Sequence, residues 1–349
     1  MKTRIRLILI IIIYVLLSSV VFAEHTEDDV MTVYDYNGNY IFSIAMAVRE
    51  GDRYISQNNI EYVVESVLDK KAIAKQMGKV DLLENLQTET GISPLIAEKG
   101  EKVIGIYHTH NGESYKPGPD SIRSRGEIHE VGKSLKAALD KKGIKVIHSE
   151  NLHLPHDGAA YERSRQTALQ ITRNEPDAIF DIHRDAIPRV EDYLKTVAGH
   201  EISQVRIVVG RQNPNRKVND QFARNLKGIS DKQYPGLIRD IFYGSGAYNQ
   251  EFSPHSLLLE FGTHVTTKDQ AQKSATMLAD SINQLLYGAG AVNTAEENTS
   301  SFTTIAWILG ILIIGIFTFL FINEGSWQGV KKRIKGFFGK EILDRGDNE

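Results

Sequence analysis

Apolar and polar positions along this chain follow two rhythms, interrupted by two runs with no polar rhythm. From position 102 onward, short apolar runs alternate with longer stretches at helical spacing. Residues 127–142 place Ile128, Val131, Leu135 and Leu139 three or four positions apart and stop at Gly143, which predicts an amphipathic helix. Further helices are predicted over 161–173, 219–228 and 269–286. Compact apolar runs at 103–110 (VIGIYHTH), 144–149, 178–185 (AIFDIHRD), 205–210 (VRIVVG) and 255–262 (HSLLLEFG) predict strands. Strand–helix alternation implies an α/β domain, an open, mostly parallel or mixed sheet with helices on both faces. In such sheets ligands bind at the carboxyl ends of strands.

The stretch before position 102 reads differently. Apolar and aromatic runs flank Asn37-Gly38 in residues 33–44, a hairpin pattern, and residues 59–77 read as helical. Residues 81–100 are polar, with Gly91 and Pro94, as a linker would be. The expected organisation is a small N-terminal α+β module and linker over 24–100, a catalytic domain over 101–287, and a tether over 288–302.

The two runs without rhythm bear on the compartment. One follows Lys2, Arg4 and Arg6 and ends at Ala23, with Val21 and Ala23 forming a small-x-small site. It reads as an export signal or a retained anchor. The other, residues 303–322, holds 20 residues without a charge and reads as a transmembrane helix. Lys331, Lys332, Arg333, Lys335 and Lys340 follow it in the tail 323–349, which places that tail in the cytoplasm and the central residues outside.

Composition narrows the chemistry. The 41 basic residues against 44 acidic ones give a net charge of −3, which argues against nucleic acid as a partner. The chain of 349 residues has no cysteine. Thiolate nucleophiles and cysteine-bound metals are therefore excluded, and any metal must be held by histidine and carboxylate.

Such residues gather at three expected strand ends. IYHTHNGESY puts His108, His110 and Glu113 after the first strand; at a strand end two residues apart, both rings can project to one side. FDIHRDA puts His183 in an otherwise apolar strand, where a buried imidazole needs a partner such as a metal; Asp181 and Asp185 are placed to orient imidazoles. LLLEFG puts Glu260 at the end of a strongly apolar strand, where desolvation raises a carboxyl pKa towards that of a general base. The plain alternatives are surface histidines, a core histidine bonded to a backbone carbonyl, and a solvated glutamate. A catalytic zinc takes three protein ligands and leaves one position open. His110 and His183 supply two. No HExxH pair supplies the third, so Glu127, at the start of the next helix, is the expected ligand, with Glu130 and Glu113 as alternatives. Arg163, Arg165 and Arg184 are candidates for substrate contacts, with structural roles as the alternative. No Walker loop and no G-x-S-x-G elbow is present.

In their order along residues 100–287, IYHTHNGESY, the run from HEVGKSLKAALDKKGIKVIHSENLHLPHDGAAYERSR, FDIHRDA and LLLEFG resemble the stage II sporulation protein P family of endospore-forming bacteria. That family in turn is similar to zinc-dependent N-acetylmuramoyl-L-alanine amidases of the type 3 fold. The resemblance implies that His110 matches the histidine of D-P-G-H-G-G, His183 that of S-x-H-x-N, and Glu260 the glutamate before G-F. A glutamate between the two histidines is implied as the remaining ligand, with Glu127 the nearest acid to the matching position. It further implies zinc, amidase activity that strips stem peptides from peptidoglycan, endopeptidase activity on cross-links, and a part in forespore engulfment alongside the stage II sporulation proteins D and M. The C-terminal apolar run and basic tail depart from that pattern, and the catalytic resemblance does not explain the module at residues 32–80. The alternative of another class is a noncatalytic wall-binding or scaffold protein that keeps the fold; an intact His110, His183 and Glu260 argue against it.

Overall fold

The structure, a computed structural model, describes residues 30–88, 91–96, 100–288, 319–320 and 322–331. The first expected membrane segment, and all of the second except positions 319, 320 and 322, lie outside the described residues. Among the described residues no helix is long and apolar enough to cross a membrane. Contacts divide the chain into a unit of residues 1–292 and a second of 293–349. The first unit contains the sheet and the helices packed on it.

Among the described residues five strands precede position 80: β1 (Met31–Tyr34), β2 (Tyr40–Ile44), β3 (Arg53–Ile55), β4 (Ile60–Leu68) and β5 (Lys71–Lys79). A short antiparallel pair follows, β6 (Gln87–Thr88) with β7 (Gly91–Ile92). Next come β8 (Val103–Tyr107), α1 (Ile128–Asp140), β9 (Lys145–His148), α2 (Ala160–Thr172) and β10 (Ala178–Asp185). The hairpin β11 (Leu194–Val197) and β12 (His200–Ser203) leads to β13 (Val205–Gly210), α3 (Arg216–Gln233), β14 (Ile238–Gly244), β15 (Ser256–Thr263) and α4 (Lys268–Tyr287).

Eleven strands form one sheet in the order β2-β1-β5-β4-β3-β14-β13-β15-β10-β8-β9. The half from β15 to β9 is parallel throughout. β13 runs antiparallel to β15, and β3 antiparallel to β14, so the sheet is mixed. Strands β1 to β5, from the stretch expected as a small N-terminal module, therefore share a sheet with the rest, while β6 and β7 form a sheet of their own. Leu82, Leu83 and Leu86 of the expected linker are buried in the main core.

One face carries Ile104, Ile106, Phe180, Ile182, Leu257 and Leu259, packed against Val131 and Leu135 of α1, Leu226 of α3 and Leu278 of α4. The other face is covered in two ways. Tyr107 and Ile179 meet Ala168 and Ile171 of α2. Gly105 makes that approach possible: a Cβ there would stand 2.3 Å from Ile171 Cγ2. Further along, Val208, Phe242 and Leu258 pack under Phe42 and Ile44 of β2, with Phe42 stacked on Tyr54 at 4.0 Å. Helices thus lie on both faces, and the N-terminal strands complete the second.

One expectation is corrected, and two elements were not expected. Residues 59–77, expected as a helix, are the antiparallel hairpin β4–β5. The chain turns at Asp69, whose φ is +51°, and Val64, Ala72 and Ala74 are the positions buried in the core beneath β2. Strand β14 (IRDIFYG) was not expected, because Arg239 and Asp240 break its apolar run; both are buried and paired instead. The hairpin β11–β12 was also not expected.

Candidate metal centre and catalytic carboxylate

Parallel pairing brings the carboxyl ends of β8, β10 and β15 to one edge, and the polar residues singled out in the sequence gather there. β8 ends at Tyr107, so strand alternation no longer governs the histidines beyond it. Their rings part, correcting the expectation that both point to one side. His108 turns towards α1, where its ring lies 4.3 Å from that of His129. His110 turns towards α2 and His183, its ring centre 4.9 Å from that of His183 and 5.5 Å from that of Tyr161.

The third donor is Glu113. Its Oε1 lies 3.3 Å from His110 Nδ1 and 3.4 Å from His183 Nδ1. All three residues are buried, and their ligand atoms lie within 4.8 Å of one another. Two nitrogen or oxygen donors at about 2.0–2.1 Å from a tetrahedral zinc stand roughly 3.3 Å apart. The donor set, two imidazoles and one carboxylate, and its spacing both fit zinc.

Surrounding groups hold these ligands. Asp181 Oδ1 is 2.9 Å from His183 Nε2 and accepts from the Thr109 backbone at 2.8 Å. A carboxylate behind a histidine fixes its orientation and raises its basicity. Glu113 Oε2 accepts from the Arg184 backbone at 2.9 Å. Burial opposes the charge on Glu113, but His183, His110 and Arg184 outweigh it and hold its carboxyl well below the usual range. Burial likewise opposes the charged form of His183, yet Asp181 and Glu113 lift it to about 10. Burial pulls His110 down.

Glu127 does not join this group, which corrects the expected third ligand. Its Oε1 takes Lys268 Nζ at 2.9 Å and its Oε2 the Tyr115 backbone N–H at 3.2 Å. It stands beside α1 as a brace between the loop and α4. Glu130 pairs with Lys133 at 2.9 Å on the exposed side of α1.

Glu260 is fully buried, and its Cα pairs in register with that of His183. Its Oε2 accepts from Tyr193 Oη at 3.3 Å and lies 3.8 Å from Arg206 Nη1, while its Oε1 makes no hydrogen bond. Burial, then the charge of Asp185, push it up to about 8, against the pull of Arg206 and His183. Asp185 is a fastening group: it accepts from Ala45 N at 3.1 Å, Tyr193 Oη at 3.0 Å and Arg206 Nη1 at 2.9 Å, which ties the end of β2 to the site.

The three arginines expected at the substrate are engaged within the protein. Arg184 donates to Ser114 O and Asp120 O, clasping the loop after His110. Arg163 donates to His153 O at 2.7 Å and to Asp157. Arg165 pairs with Glu251 and lies over Phe252.

Two contributors were missed in the sequence. Arg206 is wholly buried and joins Asp185, Asp240 and Glu260; a lone arginine in VRIVVG gave no hint of that. His156 stacks on His110 at 4.0 Å with its Nε2 unbonded, and burial pulls it down to about 3. In HLPHDG it sits among turn residues, where a histidine reads as a surface group.

Comparisons agree with the sequence pattern. Residues 28–283 match the family model described as stage II sporulation protein P. The stage II sporulation protein P of Bacillus subtilis (strain 168) is 32% identical over 220 residues, which cover 57% of this chain and 55% of that protein. The chain thus aligns with little more than half the length of that relative. Among solved structures, the N-acetylmuramoyl-L-alanine amidase AmiC2 of Nostoc punctiforme is 14% identical, with a TM-score of 0.36 over 54% of this chain and 97% of its own. The CwlD amidase of Clostridioides difficile, solved with the GerS lipoprotein, is 14% identical, with a TM-score of 0.37 over 53% of this chain and 98% of its own. The match over residues 28–283, most of its length, makes this chain a member of the stage II sporulation protein P family.

Proposed function

We propose that this chain is a zinc-dependent peptidoglycan hydrolase, an N-acetylmuramoyl-L-alanine amidase with endopeptidase activity on cross-links, working on the cell wall during sporulation. The observation that carries the reading is the meeting of His110, Glu113 and His183 at zinc-ligand spacing beside a buried carboxylate with one free oxygen.

His110 Nδ1, Glu113 Oε1 and His183 Nδ1 would hold the ion. Zinc in that position supplies a Lewis acid for the scissile carbonyl and makes a nearby water more acidic. Glu260 Oε1 takes the proton of the attacking water and returns it to the leaving amine, a task suited to a carboxyl raised towards neutral pH. Tyr193 and Arg206 hold the other oxygen, so the free one stays aimed. Asp181 keeps the His183 ring in its ligand orientation. His156, neutral beside His110, is placed to hydrogen-bond the peptide from its free Nε2.

The topology proposed with it follows from the sequence: the catalytic unit outside, a tether at 288–302, a membrane helix over 303–322 and a basic cytoplasmic tail. The stage II sporulation proteins D and M are the proposed partners. Purified protein incubated with cell-wall sacculi should release peptides bearing a new free amine. Chelator should abolish the release, zinc restore it, and Glu260→Gln remove it. Release that persists after metal removal would refute the zinc reading.

A further inference from the structure

His108 leaves the catalytic cluster and meets two further histidines. One ring nitrogen of each of His108, His129 and His148 lies within 4.8 Å of the other two. They come from three elements: the chain just past β8, the first turn of α1, and the last residue of β9. His108 and His129 are fully buried, and His148 is half-buried, which leaves a path from solvent.

The chemistry of the rings is constrained. His108 Nδ1 stands 3.1 Å from the Ile182 carbonyl, so it carries the hydrogen and donates it. That leaves Nε2 as a lone pair, aimed at His148 Nε2 only 2.8 Å away. A histidine fixed through one nitrogen by a backbone carbonyl, with the other free to bind, is the usual arrangement of a metal ligand. A single shared hydrogen would satisfy His108 and His148; the third ring has only a long 3.5 Å contact between its Nε2 and Asn111 Nδ2, and its Nδ1 is buried without a hydrogen bond. An unpaired buried polar atom is destabilising, so three packed imidazoles are a poor substitute for apolar rings unless something binds them.

Gly132 makes the space. It lies in the interior of α1, where glycine is less favourable than alanine. A Cβ at that position would come 2.7 Å from His108 Cε1 and 3.0 Å from His148 Nε2. The helix therefore gives up stability where the rings converge.

We propose that His108, His129 and His148 form a second transition-metal site, separate from the cluster of His110, Glu113 and His183. It takes a divalent ion of the class that imidazole favours, zinc, nickel or copper(II), with a fourth position left for water. The cations nearest the site are engaged: Arg125 and Lys133 pair with Glu150, and Lys136 with Asp140. The bound ion fastens β9 and α1 to the loop that carries His110 and Glu113.

The test is metal stoichiometry on the full chain, stripped by chelator and titrated with zinc. The unvaried protein should take two equivalents. His129→Leu and His148→Leu should each take one, and His183→Ala should also take one. Two equivalents in both leucine variants would overturn the proposal, as would a single equivalent in the unvaried protein that His129→Leu leaves intact. A single equivalent that His129→Leu removes and His183→Ala retains would keep this site while overturning the metal role of the catalytic cluster. Because a core substitution can unfold the chain, zinc-edge anomalous scattering from crystals of the unvaried protein provides a second reading. A peak among the three rings is expected, and its absence in zinc-soaked crystals would overturn the site without any variant.

Discussion

His183 and Glu260 face one another as Cα partners across the parallel pair β10 and β15, which sets a basic imidazole beside a carboxyl raised to about 8. The pairing places one proposed metal ligand and the proposed proton carrier on adjacent strands of the buried sheet. Their separation is set by the strand spacing, not by a loop.

Glu260→Gln should abolish hydrolysis, by about 10²–10⁴-fold, while zinc binding persists. It should also stabilise the metal-free protein. The folded-state carboxyl lies above the unfolded value of about 4.5, so the folded state keeps a proton that the unfolded state has lost. Stability therefore falls as pH rises from about 4.5 to about 8. Glutamine removes that loss. In chelator, thermal melts of the variant should match the unvaried protein near pH 4 and exceed it at pH 8.5, by roughly 2–4 °C for each kcal/mol recovered. Equal melting temperatures at both pH values would contradict the buried, raised carboxyl.

Glu113→Ala and Glu127→Ala separate two positions that the sequence alone left competing. The first should lose the zinc of the catalytic cluster and all activity. The second loses an exposed pair with Lys268 and a bond to the Tyr115 N–H, and should cost about 1 kcal/mol with metal retained. Metal analysis beside a denaturant curve gives both answers.

The contrast between these glutamates shows what was legible. The strands that carry the site, VIGIY, AIFDIHRD and SLLLEFG, announce themselves by apolar runs ending in polar residues, and the structure has them at those positions. Which acid meets the histidines depends on how the chain folds back after His110. There Arg184 clasps the loop from the far side, a contact across 70 residues that no local pattern encodes. Strand β14 hid for a related reason: Asp240 and Arg239 look like loop residues until Arg206 reaches Asp240 at 2.7 Å. The β4–β5 hairpin read as a helix because its charged residues fall at spacings that suit either period, and only the core beneath β2 selects the strand.

Zinc affinity should depend on pH through His183. In the metal-free protein this ring lies above its unfolded value of about 6.5, so its proton adds stability that is complete below 6.5 and lost as pH rises through about 10. Metal must displace that proton. Between about pH 7 and 9, affinity should tighten roughly tenfold per unit, one proton released per ion. Glu260→Gln is the background to use, since it removes the other group that titrates there. A competitive dye titration at several pH values measures the slope, and a flat profile would contradict the charged ring.

Arg206→Met should destabilise the protein severely while touching no substrate. It leaves Asp185 buried without its cation and Asp240 with Arg239 alone, and breaking such a network by removing one partner costs about 3–5 kcal/mol. The loss should also raise the Glu260 carboxyl further, since Arg206 is the leading group holding it down. Any residual activity should therefore shift its rising limb to higher pH, an effect that loss of stability alone does not produce.

Asp181→Asn tests whether orientation of His183 matters apart from its presence. The carboxylate accepts from Thr109 N at 2.8 Å and Thr109 Oγ1 at 2.6 Å, besides facing His183 Nε2 at 2.9 Å. Asparagine keeps the volume and one acceptor but loses the charge. Removing a group behind a metal-bound histidine costs about 10–100-fold in affinity or activity. The lost charge should also lower the His183 ring in the metal-free protein, because Asp181 is the leading group lifting it. Zinc binding should therefore weaken and its pH slope should flatten below pH 9. Weaker binding with an unchanged slope would mean that Asp181 serves only to hold Thr109 in place.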